Sequence, residues 1–225
     1  MKFIKLIWIT IILFSPLFSC GRKPGSGHPL AIKYPVHKHV TPAKGDLNGN
    51  LMSLSSHMIY CNKKEALQSF GLLEPSRGMI SYNYTCQQHE AVQSDAYETS
   101  TKWYKTGRNI KSSTTFLDRH EVKCKEGYGL QKVKLQTAGK TVRYWFRCAR
   151  ILILDCHAVT NPKTLATEED GLAKVNLLKN QRIRLDLNQI LTGFKLNVIE
   201  EAPQDNPREA DFPNYKMILT ILIPY

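Results

Sequence analysis

Cysteine and histidine are the residues of this chain that could do chemistry, and its 225 residues include six cysteines and seven histidines. Cys156 and His157 are adjacent, but neighbouring residues on a strand point to opposite faces, so they are poorly placed to act as nucleophile and base. The patterns G-x-S-x-G and H-E-x-x-H and the P-loop pattern are all absent. His120 lies in a polar stretch and is predicted to be a surface histidine. We therefore predict a protein that is not an enzyme, with an unrecognised hydrolase as the alternative.

Three histidines lie in an N-terminal stretch that is rich in turn-forming residues, namely His28, His37 and His39. An H-x-H pair on an extended chain puts both rings on one side, which would suit a loose copper or zinc site. Such a site needs further ligands that a fold holds in place, so a solvated basic arm is the favoured interpretation. The sequence predicts no metal and no cofactor.

Four cysteines frame two stretches of similar sequence, Cys61 to Cys86 and Cys124 to Cys148. In both, apolar residues fall six, nine and eleven positions after the opening cysteine and six, four and two positions before the closing one. The copies are offset by 63 residues at the first cysteine and by 62 at the second. This agreement predicts an internal repeat.

Each copy has two alternating apolar stretches around a turn, which predicts a β-hairpin. Four cysteines allow three connectivities. We favour Cys61 with Cys86 and Cys124 with Cys148, because each hairpin then has its own disulfide, worth roughly 3 kcal/mol by chain entropy. Cys156 is left either to pair with Cys20 or to remain a buried free thiol.

The outward face of the second copy is the predicted binding surface. If Tyr144 and Phe146 face the core, strand alternation turns five residues outward together, namely Lys132, Lys134, Arg143, Trp145 and Arg147. Four cations around an indole suit an anionic polysaccharide, a mineral or a nucleic acid. A solvated sheet face in a generally basic protein is the alternative. The corresponding residues of the first copy are neutral, namely Ser69, Gly71, Ser81, Asn83 and Thr85.

The N-terminus resembles an export signal. A basic start and a short apolar run over residues 1–19 are typical of a secretory signal peptide. Leu17-Phe18-Ser19-Cys20 resembles the lipobox of bacterial lipoproteins, which implies acylation of Cys20 as an alternative to ordinary secretion. Asn83-Tyr84-Thr85 matches the N-glycosylation pattern, but its position in a predicted strand disfavours access.

The balance of charge changes near residue 157. Residues 20–157 hold 21 Lys+Arg and 10 Asp+Glu, whereas residues 158–225 hold 8 and 9. This shift predicts a domain boundary, so we divide the chain into a signal peptide (1–19), a linker or irregular arm (20–56), tandem β repeats (57–157) and a C-terminal domain (158–225).

The C-terminal part is predicted to contain only strands. Asp170-Gly171 and the alternating residues around it predict a turn between strands, and Met217–Ile223 predicts an apolar strand. The turn with its strands is similar to the middle of a prealbumin-like or carboxypeptidase-regulatory-like β-sandwich. The predicted fold is therefore all-β, with two cysteine-framed hairpin repeats followed by a small β-sandwich-like module.

These features predict a secreted, disulfide-stabilised protein that binds an extracellular protein or an anionic polysaccharide in a matrix or at a cell surface. Export makes nucleic acid the least expected partner, and the membrane is reached only through a lipid. The alternative is an accessory or structural subunit of a bacterial envelope, anchored at Cys20.

Overall fold

The computed structural model describes residues 35–45, 51–88, 92–106, 114–151, 156–160, 164–166, 175–180, 182–185, 189–201 and 214–224. The predicted signal peptide, Cys20 and His28 lie outside these residues. Within the described part of the chain, no helix is long and apolar enough to span a membrane.

The fold is all-β, as predicted, and its fourteen described strands follow in chain order. They are β1 (Val36–Val40), β2 (Ile59–Tyr60), β3 (Glu65–Leu73), β4 (Ser81–Gln88), β5 (Val92–Ser100), β6 (Tyr104–Lys105), β7 (Glu121–Lys123), β8 (Tyr128–Ala138), β9 (Thr141–Ile151), β10 (Cys156–Thr160), β11 (Thr164–Ala166), β12 (Arg182–Ile183), β13 (Gly193–Glu201) and β14 (Asn214–Pro224). Helix α1 (Leu51–Ser55) and two 3₁₀ helices, Thr114–Arg119 and Val175–Asn180, precede the short strands β2, β7 and β12.

The strands described here form three antiparallel sheets with the same arrangement. Their orders are β1-β4-β3-β12, β5-β9-β8-β2 and β10-β14-β13-β7, while β6 also pairs with β9 and β11 with β14. A long hairpin is central in each sheet, and the last strand comes from elsewhere in the chain. Thus β2 precedes the first hairpin but pairs with the second, β7 precedes the second but pairs with the third, and β12 precedes the third but pairs with the first.

Main-chain hydrogen bonds also join the three hairpins where their first strands approach one another. The amide of Leu130 donates to the carbonyl of Leu191 over 2.7 Å, and the amide of Leu191 donates to the carbonyl of Leu67 over 2.8 Å. All three leucines are fully buried in one apolar cluster with Phe194. The Phe194 ring lies edge-on to Phe70 and to Tyr144, so the same core is shared by all three sheets.

This pairing crosses the boundary predicted near residue 157 at β7–β13 and again at β12–β3. The described residues on the two sides of that boundary share main-chain hydrogen bonds and one core. Lys179 adds a contact, because its Nζ lies 2.6 Å from Oε2 of Glu74 in the first hairpin.

Two predicted segments differ from the structure. Residues 36–40 and 51–55 belong to the predicted linker, but they form β1 and α1, because β1 pairs along β4 and Leu51 and Leu54 of α1 enter the core. In the C-terminal part, residues 175–180 form a 3₁₀ helix where the Asp-Gly turn and the sandwich resemblance predicted a strand. The buried Val175 explains the apolar spacing that was taken for strand alternation. The predicted strand Met217–Ile223 lies within β14.

The disulfides are Cys61–Cys86 and Cys124–Cys148, the pairs favoured from the spacing. Each links the segment just before a hairpin to the second strand of that hairpin. The strand register shifts next to each disulfide, directly after Leu67 and directly after Leu130. The side chain of Gln131, at the second shift, donates from Nε2 to the carbonyls of Asn62 and Glu65 and so joins the two hairpins.

The turns that lead into the first two hairpins offer a matched test of backbone strain. Lys64 has φ of 64° before β3, and Gly127 has φ of 77° before β8. Left-handed backbone costs a residue with a Cβ about 1 kcal/mol, so Lys64→Gly should raise the free energy of unfolding by roughly 0.5–1 kcal/mol. Gly127→Ala should lower it by about 1 kcal/mol, since an added Cβ would meet nothing closer than 3.9 Å and only the backbone is strained. Urea denaturation measures both changes, and a loss of stability in Lys64→Gly would contradict this account.

Candidate functional site

The second hairpin, β8–β9, has one buried face and one polar face. Burial alternates along both strands, with Val133, Leu135, Val142 and Phe146 buried and their neighbours partly exposed. The five predicted binding residues are all on the partly exposed side. We call Lys132, Lys134, Arg143, Trp145 and Arg147 the basic face.

The strand register arranges the basic face in short rows across the sheet. Lys132 lies opposite Arg147, and Lys134 lies opposite Trp145. Arg143 pairs with Gln136 of β8. The flanking strands extend the first row, because Tyr60 of β2 lies opposite Lys132 and Glu98 of β5 lies opposite Arg147. The structure therefore brings the five predicted residues together on one sheet.

Two aromatic rings that were not predicted as site residues contact this face. Lys132 Nζ lies 4.5 Å from the ring centroid of Tyr60, and the Arg143 guanidinium lies 4.4 Å from that of Trp103. Both rings are exposed, Tyr60 by 38% and Trp103 by 41%. Aromatic faces attract cations, and Trp103 and Tyr60 hold these two in place. The pairing of Tyr60 with the second hairpin leaves no local signal in the sequence.

The two arginines of the basic face have different environments. Arg143 donates from Nε to Oε1 of Gln136 over 2.8 Å and from Nη1 to the Ser100 hydroxyl over 3.3 Å. Arg147 approaches Oε1 of Glu98 at 3.8 Å, and among the described residues its buried Nε has no hydrogen-bond partner. Arg143 is thus fixed by two side-chain hydrogen bonds, whereas the contact of Arg147 with Glu98 is long.

The first hairpin, β3–β4, lacks these charges on its polar face. The Ser69 hydroxyl lies 2.6 Å from that of Thr85, so each satisfies the other. Asn83, the predicted glycosylation residue, is exposed on β4 between β3 and β1. Ser81 was expected to point outward, but it is fully buried.

His120 is buried, not exposed as predicted, because aromatic rings from β6 and β9 enclose it. Its Nδ1 lies 2.8 Å from the Thr101 hydroxyl, which also accepts the amide hydrogen of Tyr144. The rings of Tyr104 and Tyr144 stand edge-on to the imidazole. Burial, with a smaller contribution from the charge of Arg119, lowers the pKa of His120 to about 4.

His57, which precedes β2, has similar surroundings beside the first hairpin. Its Nδ1 lies 2.9 Å from the Thr41 hydroxyl, which accepts the amide hydrogen of Tyr82, and the Tyr82 ring stands edge-on to the imidazole. Burial lowers the pKa of His57 as well. These histidines are closed off by structural contacts and do not line the basic face.

No protein-family model, no curated protein and no solved structure matches this chain.

Proposed function

We propose that this protein is exported, is not an enzyme, and binds an anionic polysaccharide with its basic face. The observation that carries the proposal is the placement of four cations and Trp145 on one sheet face, with two cations packed on exposed aromatic rings. The two disulfides fit an oxidising, extracellular compartment, in which such polysaccharides occur.

Cations and rings have separate roles in this binding. Lys132, Lys134 and the two arginines neutralise sulfate or carboxylate groups and release their counterions, so binding weakens as salt rises. Trp145 supplies a flat apolar surface for a sugar ring, a contact that salt changes little. Glu98 lies at the edge of the face, where its charge directs the anionic chain toward the hairpin.

The repeat supports a specialised second hairpin. We infer that the repeat extends to a third copy, which lacks the framing cysteines, because Leu67, Leu130 and Leu191 are each followed by an apolar residue at the third and fifth positions. The short strands β2, β7 and β12 show the same regularity, because each places an apolar residue opposite the apolar residue three positions after one of these leucines. The pairs are Ile59 with Val133, Val122 with Phe194, and Ile183 with Phe70. The first two copies share a scaffold but differ in charge, as expected if the second copy acquired a ligand.

The alternative is an envelope lipoprotein that uses the same fold. It is favoured by Leu17-Phe18-Ser19-Cys20 alone, and the intact mass of the mature chain separates the two, since acylation of Cys20 adds several hundred daltons.

Replacing Arg143 and Arg147 with serine tests the binding proposal. On a heparin column the double variant should elute at clearly lower salt than the parent. The slope of log affinity against log salt should also fall by about two, one unit for each lost contact. Because Arg143 has two hydrogen bonds, the variant should lose about 1–2 kcal/mol of stability, which urea denaturation measures.

The matched control is Lys38→Ser with Lys63→Ser. It removes two exposed cations, one from β1 and one from the turn before β3. It lowers the net charge equally and should keep more of the parent's retention. Trp145→Ala should weaken binding with an unchanged salt slope. Equal elution of the arginine variant and the parent would contradict the proposal.

A further inference from the structure

Strand β1 places two histidines beside a buried carboxylate. His37 and His39 alternate along β1, so their side chains point to the same face, opposite Cys86 and Tyr84 of β4. Glu65, the first residue of β3, is only 4% exposed. A buried carboxylate needs a compensating charge or several hydrogen bonds.

The contacts of Glu65 give it a fixed orientation. Its Oε2 accepts the amide hydrogen of Asn62 over 2.9 Å, and its Oε1 lies 2.6 Å from Nδ1 of His37. One carboxylate oxygen is therefore held by a backbone amide, and the other is within hydrogen-bond distance of an imidazole that is about half exposed.

His39 supplies a second nitrogen. Its ring stacks on Tyr84 with centroids 5.1 Å apart, and its Nε2 is buried without a hydrogen-bond partner in the described part of the chain. A ring nitrogen of His39, a carboxylate oxygen of Glu65 and Sγ of Cys86 lie within 4.8 Å of one another. An unpartnered buried nitrogen beside a buried carboxylate is unfavourable unless something bridges them.

We propose that His37, His39 and Glu65 bind a divalent transition-metal ion of the zinc type. Two imidazoles and a carboxylate form a common ligand set for zinc, and a fourth position stays open for water. The sulfur of Cys86 is excluded as a ligand because it is in the disulfide and has no thiolate. The ion would take the place of the hydrogen bond between His37 and Glu65, bind the unpartnered nitrogen of His39, and link β1 to the first hairpin.

This inference is independent of the basic face, which lies on another sheet, and it departs from the sequence-based expectation of no metal. The sequence alone could not pair the H-x-H motif with Glu65, because Glu65 is 26 residues beyond His39 and the two meet through the pairing of β1 and β3 with β4.

Calorimetric titration of the mature protein with Zn²⁺ at pH 7.5 tests the site. The parent should bind one equivalent, and Mg²⁺ should not compete, since magnesium prefers oxygen ligands. Glu65→Gln and His39→Gln should each weaken zinc binding at least about tenfold. The control is His89→Gln, which removes a histidine outside the proposed ligand set and should bind zinc like the parent.

A measurement on the parent alone keeps the proposal testable if a variant fails to fold. In imidazole NMR spectra, one equivalent of Zn²⁺ should shift the signals of two histidines and leave those of the buried His57 and His120 in place. A parent that binds no zinc, or a Glu65→Gln variant that binds it with parental affinity, would overturn the assignment.

Discussion

Leu191→Ala is expected to lower the free energy of unfolding of the whole described fold by about 3 kcal/mol. Leu191 is fully buried in the cluster that all three sheets share. Alanine keeps the main-chain bonds to Leu130 and Leu67, so the cost is that of the cavity left by the isobutyl group. Truncation of a leucine at a shared core should weaken all three hairpins at once.

Tryptophan fluorescence tests whether this effect crosses the sheets. Beyond the predicted signal peptide the tryptophans are Trp103 and Trp145, both in or beside the second sheet. A shift of their urea midpoint by a substitution at residue 191 therefore reports coupling between the sheets. The exposed Met58→Ala is the control and should change stability by less than about 0.5 kcal/mol. An unchanged tryptophan midpoint in Leu191→Ala would favour an independent C-terminal domain, as the charge shift predicted.

Acid should destabilise the protein through its buried histidines. The pKa of His120 is about 4 in the fold and 6.5 for an unperturbed histidine, so between these values the unfolded chain binds a proton that the folded chain does not. Stability therefore falls as the pH is lowered from 6.5 to 4, and His120 accounts for a loss of about 3 kcal/mol. The lowered pKa of His57 acts in the same direction.

A variant without the titrating group measures this contribution. His120→Asn removes the titration and keeps an amide within reach of the Thr101 hydroxyl. Its stability at pH 7 should be lower than that of the parent, but its loss between pH 7 and pH 4 should be about 3 kcal/mol smaller. His57→Asn should also reduce the loss of stability in acid, because burial lowers the pKa of His57 as well. Parallel stability curves for parent and His120→Asn would show that the acid sensitivity has another source.

The sequence was sufficient for features that are local. The disulfide partners are 25 and 24 residues apart, and the apolar alternation of β8 and β9 sets which side chains are buried. That alternation also places the side chains of Arg143, Trp145 and Arg147 on the polar face of the sheet. A hairpin brings neighbours in sequence together, so its spacing carries the information.

Features that depend on distant pairing could not be read in this way. Strands β2 and β12 have two residues each, too few for any alternation, and their partners are more than seventy residues away. Because the pairing of β2 with β8 leaves no local signal, Tyr60 was not assigned to the basic face. His120 was misplaced for the same reason, since a polar local sequence does not show which rings pack around a residue.

The closure of the three sheets by β2, β7 and β12 has a kinetic consequence. Each cysteine-framed hairpin closes a short loop, so it can form and oxidise while the rest of the chain is unfolded. The docking of β12 on β3 joins residues about 112 positions apart, and it requires a third hairpin that has no cysteine in β13 or β14. Long-range contacts of this kind form slowly. Two oxidised hairpins with exposed sheet edges should therefore accumulate before β12 pairs with β3. A folding chain in this state can pair its open edge with a second copy, and assistance from a chaperone would matter most after the disulfides are complete.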